Sequence, residues 1–183
     1  DFVFDGTKNT PYKVDDQTNP INVYGASKLA GELAIKAHCP TNSAIVRTSW
    51  VYSSHGNNFV KTMLRLMAEK DELNVVSDQI GCPTNANSLA KYLWQLAEQD
   101  TLEPIYHYSD LGVASWYDFA VAIQSIALEQ GILSKKIVIH PIPSSDYPTP
   151  AMRPFFGLLA AIEGSREHWI TSLKQTLLLL GDE

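Results

Sequence analysis

Short apolar runs separated by amphipathic segments restrict this chain more than any other feature of its sequence. Residues 44–46 (Ala-Ile-Val) form one such run, and the segment 23–38 before it carries apolar residues at helical spacing. A second helical segment and another short apolar run follow. Strands that alternate with helices pair side by side, because a helix is long enough to carry the chain back to the start of the next strand. The sequence therefore predicts an α/β fold with parallel strands.

The predicted elements cover most of the chain. Strands are expected at 1–6, 43–52, 73–78, 104–110 and 135–143, and helices at 23–38, 58–70, 87–99, 115–130 and 167–180. Ser115 is expected to cap the fourth helix together with Asp118, and Gly131 lies just past its end. Polar loops are expected at 7–22 and 79–85, and the first is long enough to suggest a functional role.

Apolar side chains on the helices are expected to face the core. On the first helix these are Leu29, Leu33, Ala34 and Ala37, and on the third they are Leu89, Leu93, Leu96 and Ala97. The SWYDFA stretch places Trp116 at the start of the fourth helix, where it is expected to serve packing.

Composition argues against several classes of function. The net charge of -6 at pH 7, without a Lys/Arg-rich run, argues against nucleic-acid binding. No apolar run approaches the ~20 residues that a membrane helix needs. Cys39 and Cys82 form no C-x-x-C pair, which predicts a reducing cytoplasm rather than a disulfide framework. The five histidines show no metal-ligand spacing, so no metal site is predicted.

Tyr24 and Lys28 are the first residues whose arrangement suggests chemistry. Residues four apart lie on one face of a helix, so the ammonium is expected beside the phenol. A neighbouring cation favours the phenolate, and such a phenol can exchange a proton with a carbonyl or alkoxide oxygen. Gly25 and Ala26 add little bulk, which is expected to leave the surface open to a flat ring. A solvated surface pair is the alternative for Tyr24 and Lys28.

Further stretches of the chain repeat the pattern of one known family. In order, they are DFVFDGT, TPYKVDD, NPINVYGASKLAGE, IVRTSWVY, GNNFVKTMLRL, VVSDQIGCPT and YPTPAMRP. Together they resemble the extended short-chain dehydrogenase/reductases, and among these the family of dTDP-4-dehydrorhamnose reductases, over residues 1–154. YGASK is typical of the whole superfamily, whereas RTSWVY, GNNFVKTML and DQIGCPT are more specific.

The resemblance implies a fold and a reaction. Residues 1–183 would be the C-terminal part of one NAD(P)-binding domain: the later strands of a Rossmann-like parallel sheet, with a small substrate-binding lobe mainly over 52–155. The reaction would reduce the 4-keto group of dTDP-4-dehydro-L-rhamnose with NADPH or NADH. Tyr24 would protonate the C4 oxygen and Lys28 would hold the nicotinamide ribose, so that both contact the cofactor. The expected partners are the dTDP-sugar and a second copy in a homodimer, with no nucleic acid and no membrane.

The resemblance also implies a set of substrate-binding residues: Asp1, Phe2, Trp50, Asn58, Gln79 and Arg153. Asp1, Phe2 and Trp50 would lie at the sugar. Asn58 and Gln79 would hold the nucleotide diphosphate, and Arg153 would pair with a phosphate as a bidentate donor. The residues also allow structural alternatives: a core position for Trp50, a helix cap for Asn58 and a plain surface position for Arg153.

The chain departs from the family pattern at both ends. It begins at Asp1 inside an expected strand and contains no G-x-G-x-x-G or G-x-x-G-x-x-G loop, so we expect a fragment cut upstream. The family's catalytic Ser or Thr would precede Asp1. Such a piece is expected to be inactive and to expose residues 2–4 as a sheet edge prone to aggregation. After Pro154, the stretch FFGLLAAIEG departs from the family.

Two other functions fit the same motifs. One is a non-catalytic regulatory subunit like the beta subunit of methionine adenosyltransferase, which resembles this family. The other is a 4-keto reductase for a different dTDP-sugar.

Overall fold

The structure of the chain is a computed structural model that describes residues 1–160 and 166–181. The helices are α1 (Val23–His38), α2 (Phe59–Glu69), α3 (Ala86–Ala97), α4 (Trp116–Glu129) and α5 (Trp169–Gly181). The strands are β1 (Ile45–Arg47), β2 (Val51–Tyr52), β3 (Glu72–Val76), β4 (Ile80–Gly81), β5 (Thr84–Asn85), β6 (Ile105–His107), β7 (Ala114–Ser115) and β8 (Val138–Ile142). The helices confirm the predicted ones, and each end lies within two residues of its predicted position.

The strands pair in two-stranded sheets, most of which are parallel. β1 pairs with β6, β2 with β5 and β3 with β8 in parallel, whereas β4 and β7 are antiparallel. The α/β fold with parallel pairing is therefore confirmed. The single strand predicted at 43–52 is wrong, because the backbone turns at Trp50, whose φ of 46° lies in the left-handed region. The loop predicted at 79–85 instead forms β4 and β5.

Residues 2–4 do not form the predicted strand. The N–H of Phe4 donates to the carbonyl oxygen of Asp1 at 3.0 Å, which closes a turn. Val3 and Phe4 are buried, and the Phe4 ring stacks on Tyr12 with 4.1 Å between centroids. The exposed sheet edge expected here is therefore wrong, because burial against the long loop overrides the strand preference of these side chains.

The main core surrounds α4. Phe119, Ala120 and Ile123 of this helix are fully buried and belong to one cluster with residues of α2, β3, β8 and α5. Ser115 caps α4 in a capping box with Asp118, as predicted. This cap fixes the start of α4, and therefore the backbone of Trp116, against the sheet.

The inward faces predicted for α1 and α3 are largely wrong. On α1 only Gly25 and Glu32 are buried, and Leu33 is 58% exposed. On α3 only Leu96 is buried, and Leu93 is 45% exposed. Of the apolar residues predicted to face inward on α1, Leu29 packs against a core cluster, whereas the rest of the packed side is formed by a glycine and by a carboxylate with a buried partner.

Arg166 covers the edge of β6 that faces away from β1. Tyr108 donates its N–H to the carbonyl of Arg47, so its neighbours His107 and Ser109 direct their carbonyls to the opposite edge. Arg166 donates to both of these oxygens, at 3.1 Å from Nη2 to His107 and 3.2 Å from Nη1 to Ser109. Its guanidinium also lies 4.8 Å from the centre of the Tyr108 ring. Within the described ranges, β6 has no strand on this side.

The stretch after Pro154 runs beside β4 and the long loop. Ile80 donates to the carbonyl of Phe155, and Gly157 donates back to Ile80, at 2.7 and 2.8 Å. The divergent stretch is described only to Ala160, and its residues 161–164 lie outside the described residues. No helix in the described ranges is long and apolar enough to cross a lipid bilayer.

Candidate active site

One cleft brings together five of the six residues predicted to bind substrate. It is lined by Asp1, Phe2, Trp50, Gln79, Ile80, Trp116, Arg153, Pro154 and Gly157. These residues come from the first turn, the break between β1 and β2, β4 and the residue before it, the start of α4, and the stretch that follows the short 3-10 helix at residues 144–146. Asn58 is the predicted substrate residue that the structure does not bring to this cleft.

Tyr24 and Lys28 lie beside the cleft, on the exposed side of the first turns of α1. Tyr24 is 57% exposed, and the Lys28 Nζ lies 5.2 Å from the centre of its ring. The Tyr24 ring meets the ring of Phe2 edge-on at 5.3 Å, and Phe2 itself lines the cleft. The predicted pairing of phenol and ammonium on one helix face is therefore present, and Phe2 connects it to the cleft.

Asn22 holds the start of α1 against the cleft segment that carries Arg153. Its Oδ1 accepts from the N–H of Gly25 at 2.7 Å, which caps the helix. Its Nδ2 donates to the carbonyl of Met152 at 2.8 Å. One side chain therefore positions both the helix that bears Tyr24 and the residue before Arg153.

Gly25 is a packing position rather than part of an open surface. A Cβ placed on Gly25 would lie 2.1 Å from the carbonyl oxygen of Phe2, far inside any allowed contact. The expectation that Gly25 leaves room for a flat ring is therefore wrong, because the Phe2 backbone occupies that room. The neighbouring Ala26 is exposed. Gly25 lets α1 approach the first turn closely enough for Tyr24 to meet Phe2.

A buried ion pair fixes α1 to β1. Arg47 Nε and Nη2 donate to the two carboxylate oxygens of Glu32 at 2.8 and 2.7 Å. The two side chains are only 5% and 8% exposed. Glu32 lies one helical turn after Lys28, so this bidentate pair holds the helix face that presents Tyr24 and Lys28.

His107 completes the same buried network. Its Nδ1 lies 3.0 Å from the carbonyl oxygen of Tyr12, so this nitrogen carries the hydrogen and donates it. Its Nε2 lies 3.3 Å from Arg47 Nη1 and therefore accepts. Burial, and next the charge of Arg47, lower the pKa of His107 to about 4. A neutral His107 thus connects β6, Arg47 and the long loop.

Trp50 is half-buried and has both a packing contact and a cleft-facing position. Its indole stacks on Trp116, with 3.7 Å between centroids and 11° between planes. It also lies against Gly81, where an added Cβ would come within 2.9 Å of the indole. The structure thus shows the core contact that was the alternative for Trp50, and it also places Trp50 in the cleft wall.

The amide side chains of Gln79 and Asn58 are bonded within the protein. Gln79 Oε1 accepts from Trp116 Nε1 at 3.2 Å, and its Nε2 donates to Ser144 Oγ at 2.9 Å. Asn58 is the N-cap of α2: its Oδ1 accepts from the N–H of Lys61 at 3.2 Å, and its Nδ2 donates to the carbonyl of Ser53 at 2.7 Å. The capping role that was the alternative for Asn58 is present.

Arg153 supplies a positive charge to the cleft. It is exposed, and its guanidinium makes no hydrogen bond or ion pair with any described residue. Opposite in charge, Asp1 packs its carboxylate against Gly157. Within the described ranges no three His, Cys, Asp or Glu side chains lie close enough to hold a metal ion. Among the described residues, the cleft therefore offers the exposed guanidinium of Arg153 to an anionic group.

Sequence reasoning missed several cleft residues. Trp116 was expected to serve packing, yet it both packs and lines the cleft. Ile80 and Gly157 were not singled out, although Ile80 lies in the DQIGCPT stretch. The signal for Trp116 was its place directly after a capping serine, where the first side chain of a helix points toward the loops that precede it.

The fold and the site define a class of protein. A parallel α/β arrangement that presents Tyr-x-x-x-Lys on a helix beside a cleft is that of a short-chain dehydrogenase/reductase with a Rossmann-like sheet. More narrowly, the chain belongs to the family described as the RmlD substrate binding domain, whose family model matches residues 1–177.

Similar proteins carry one recurring name. A dTDP-4-dehydrorhamnose reductase from Sinorhizobium fredii is 48% identical over 160 aligned positions, and the match covers 84% of this chain and 53% of that protein. A crystal structure of a dTDP-4-dehydrorhamnose reductase from Clostridium acetobutylicum has a TM-score of 0.90 at 37% identity, covering 98% of this chain and 63% of that one. Another from Bacillus anthracis, in complex with NADP, has a TM-score of 0.88 at 35% identity, covering 97% and 62%. The chain thus spans about half the length of the curated relatives it matches.

Proposed function

We propose that the whole protein reduces the 4-keto group of dTDP-4-dehydro-L-rhamnose to give dTDP-L-rhamnose with NADPH, and that this chain supplies its proton donor and substrate cleft. The observation that carries the proposal is the position of Tyr24 and Lys28 beside a cleft that is lined by the exposed guanidinium of Arg153. The membership of the chain in the RmlD substrate binding domain family supports it.

The residues present fit a nicotinamide cofactor. Tyr24 and Lys28 are both exposed on the same side of α1, so they are available to the ribose and to the carbonyl that is reduced. When bound, the cofactor would supply the hydride. NADPH is preferred over NADH in this proposal because the similar Bacillus anthracis enzyme was solved with NADP.

Each side chain of the site has a distinct task. Tyr24 donates its phenolic proton to the C4 oxygen, and the Lys28 ammonium stabilises the phenolate that remains. Arg153 binds the diphosphate as a planar, permanently charged donor. Trp50 packs against the hexose, and Phe2 limits the position of the Tyr24 ring. Holding the ketone in this place lowers the entropic cost of reaching the transition state.

The test is NADPH oxidation by the whole protein at saturating dTDP-4-dehydrorhamnose. Tyr24→Phe is expected to lower kcat by roughly 10²–10⁴-fold, the range that a positioned acid contributes. Tyr147→Phe is the matched control, because Tyr147 is 59% exposed, close to the 57% of Tyr24, and does not line the cleft. Equal turnover by wild type and Tyr24→Phe would exclude Tyr24 as the donor.

The other functions considered for this sequence give different outcomes. Binding of dTDP-sugar without turnover would indicate a reductase of another dTDP-keto-sugar, which a panel of such sugars would identify. Neither binding nor turnover would favour a regulatory subunit.

A homodimer in the cytoplasm is part of the same proposal. Val23 and Leu33 of α1 are exposed apolar side chains that contact with a second copy would cover. Cys39 and Cys82 are both free thiols, as a reducing compartment would keep them. Light scattering of the whole protein tests the dimer, and a monomeric mass at micromolar concentration would exclude it.

A further inference from the structure

We propose that Trp116 and Gln79 are positioning residues for the sugar, and that Gln79 acts through Trp116 and Trp50 rather than by touching the diphosphate. This inference rests on the proposed function, because it concerns how the cleft receives a dTDP-sugar. It assigns a role to Trp116, and it gives Gln79 a role different from direct contact with the nucleotide.

The first step of the argument is the stacked indole pair. Trp50 and Trp116 lie nearly parallel at 3.7 Å, and both line the cleft. Trp50 also lies against Gly81, where even a Cβ would displace it. Trp50 has a φ of 46°, in the left-handed region that residues other than glycine seldom adopt. The Trp50 ring therefore has its place set by two neighbours, and one of them is Trp116.

The second step is the support of Trp116. Its backbone follows Ser115, the N-cap of α4, whose capping box fixes the first turn of the helix. Phe59 packs against the Trp116 ring with 4.7 Å between centroids. The indole N–H donates to Gln79 Oε1 at 3.2 Å, and this hydrogen bond fixes the ring about its remaining torsions.

The third step explains why Gln79 presents its oxygen to Trp116. The Asp78 carboxylate accepts from the N–H of Ser144 at 2.9 Å and from the Ser144 hydroxyl at 2.5 Å. Because that hydroxyl has donated its hydrogen to Asp78, its oxygen can only accept from Gln79, whose Nε2 lies 2.9 Å away. The Gln79 amide is thereby oriented with Nε2 toward Ser144 and Oε1 toward Trp116.

The consequence is an ordered chain of contacts from a carboxylate to the cleft wall. Asp78 orients Ser144, Ser144 orients Gln79, Gln79 holds Trp116, and Trp116 supports Trp50. Gln79 is buried, and both ends of its carboxamide have protein partners. An aromatic face that is held still can pack against the C–H face of a hexose, whereas a diphosphate gains nothing from it. These contacts are therefore expected to affect only the binding of the sugar part of the ligand.

The test compares two probes, dTDP-L-rhamnose and dTDP, by calorimetric titration of the 183-residue chain and of the whole protein. Gln79→Met keeps the length of the side chain and removes the carboxamide, and Trp116→Phe keeps a ring and removes the N–H. Each substitution is expected to lower the affinity for dTDP-L-rhamnose roughly fivefold, which is the range of one hydrogen bond, and to leave the affinity for dTDP unchanged. The double variant is expected to be no weaker than either single one, because both remove the same bond.

Two further variants separate positioning from general damage. Ser144→Ala touches neither indole, yet it frees the Gln79 amide and is expected to give the same loss for dTDP-L-rhamnose alone. Trp94→Phe is the matched control, since Trp94 is 73% exposed on α3 and lies outside the cleft. Circular dichroism of the free chain gives an independent readout, because stacked indoles couple their transitions. The coupled signal is expected to vanish in Trp116→Phe, weaken in Gln79→Met and persist in Trp94→Phe.

The outcomes distinguish this inference from the proposed function. Equal weakening of dTDP and dTDP-L-rhamnose by Gln79→Met would show direct contact with the nucleotide and overturn the inference. The inference would also be overturned if Gln79→Met and Trp116→Phe bound both dTDP-L-rhamnose and dTDP as tightly as wild type does. A wild-type protein that binds neither probe would overturn the proposed function, and the positioning role would fall with it.

Discussion

The ion pair between Glu32 and Arg47 leads to a quantitative prediction about α1. Arg47→Met removes the guanidinium and leaves the Glu32 carboxylate buried without its partner, because both side chains are at most 8% exposed. Breaking a buried pair in this way costs about 3–5 kcal/mol of unfolding free energy. The bonds from Arg47 to the carbonyl of Val14 and to His107 are lost as well. We therefore expect the single variant to lose about 4 kcal/mol or more.

Replacing both partners is expected to be far milder. Glu32→Leu combined with Arg47→Met leaves no buried charge at this site, and such exchanges are often close to neutral. The remaining cost is that of the lost bonds to Val14 and His107, about 1 kcal/mol each. The double variant is thus expected to be more stable than Arg47→Met alone, by about 2 kcal/mol or more.

Urea denaturation of the chain, followed by far-ultraviolet circular dichroism, measures these differences. The control is Arg65→Met, which breaks the pair between Arg65 and Glu69 on α2. These side chains are 60% and 55% exposed, so we expect a loss of at most about 0.5 kcal/mol. An Arg47→Met variant within about 1 kcal/mol of wild type would refute the reasoning, since it would mean that water or a local shift compensates the carboxylate.

Three further predictions follow from the charges and thiols. Burial raises the pKa of Asp110 to about 6, so the folded state takes up this proton first and gains stability as the pH falls from 6 towards the ordinary value of 3.8. The pKa of His107 is lowered from 6.5 to about 4, so this group makes the folded state less stable as the pH falls over nearly the same range. In Asp110→Asn the stabilising effect of Asp110 is absent and the destabilising effect of His107 remains. Urea denaturation is therefore expected to show that this variant loses roughly 2–3 kcal/mol more than wild type between pH 6 and pH 4. Cys39 is exposed, whereas burial raises the pKa of Cys82 to about 12, so a thiol reagent is expected to modify one cysteine in the native chain and none rapidly in Cys39→Ser. Arg153→Gln is expected to weaken dTDP roughly tenfold in calorimetric titration and to reduce its salt dependence, and an unchanged affinity would remove Arg153 from the diphosphate site.

Two outcomes would contradict these predictions. If Asp110→Asn and wild type followed the same pH profile, Asp110 would not be the group that offsets His107. Rapid modification of Cys82 in the native chain would show that its environment opens, against the hydrogen bond of 3.0 Å from its Sγ to the carbonyl of Asp110.

Local signals in the sequence were sufficient for the helices. The Ser115–Asp118 cap and the glycine after α4 mark its ends through contacts within a few residues, and such contacts can be read from the sequence. The strand expected at residues 2–4 failed because Phe4 stacks on Tyr12. Tyr12 belongs to a loop, and no local preference shows where that loop will lie.

The candidate site divides in the same way. Tyr24 and Lys28 meet because they share a helix, and this is a local rule. The role of Gln79 could not be read from the sequence, because its partner Ser144 lies 65 positions further along the chain. The prediction that Gly25 leaves an open surface was wrong for a related reason. Its lack of a side chain makes room for the Phe2 carbonyl, and this contact exists only after folding.

Arg166 has a consequence for how this sheet ends. Its guanidinium supplies two N–H groups to the carbonyls of His107 and Ser109, as a neighbouring strand would. A guanidinium, however, has no acceptor, so it offers nothing to which the N–H of a further strand could donate. Two carbonyls on this edge of β6 are therefore satisfied by a side chain to which no further strand can donate. Other proteins protect an edge strand with a proline, a bulge or an inward-pointing charge, and here a single arginine disfavours pairing of this edge with a strand of another molecule.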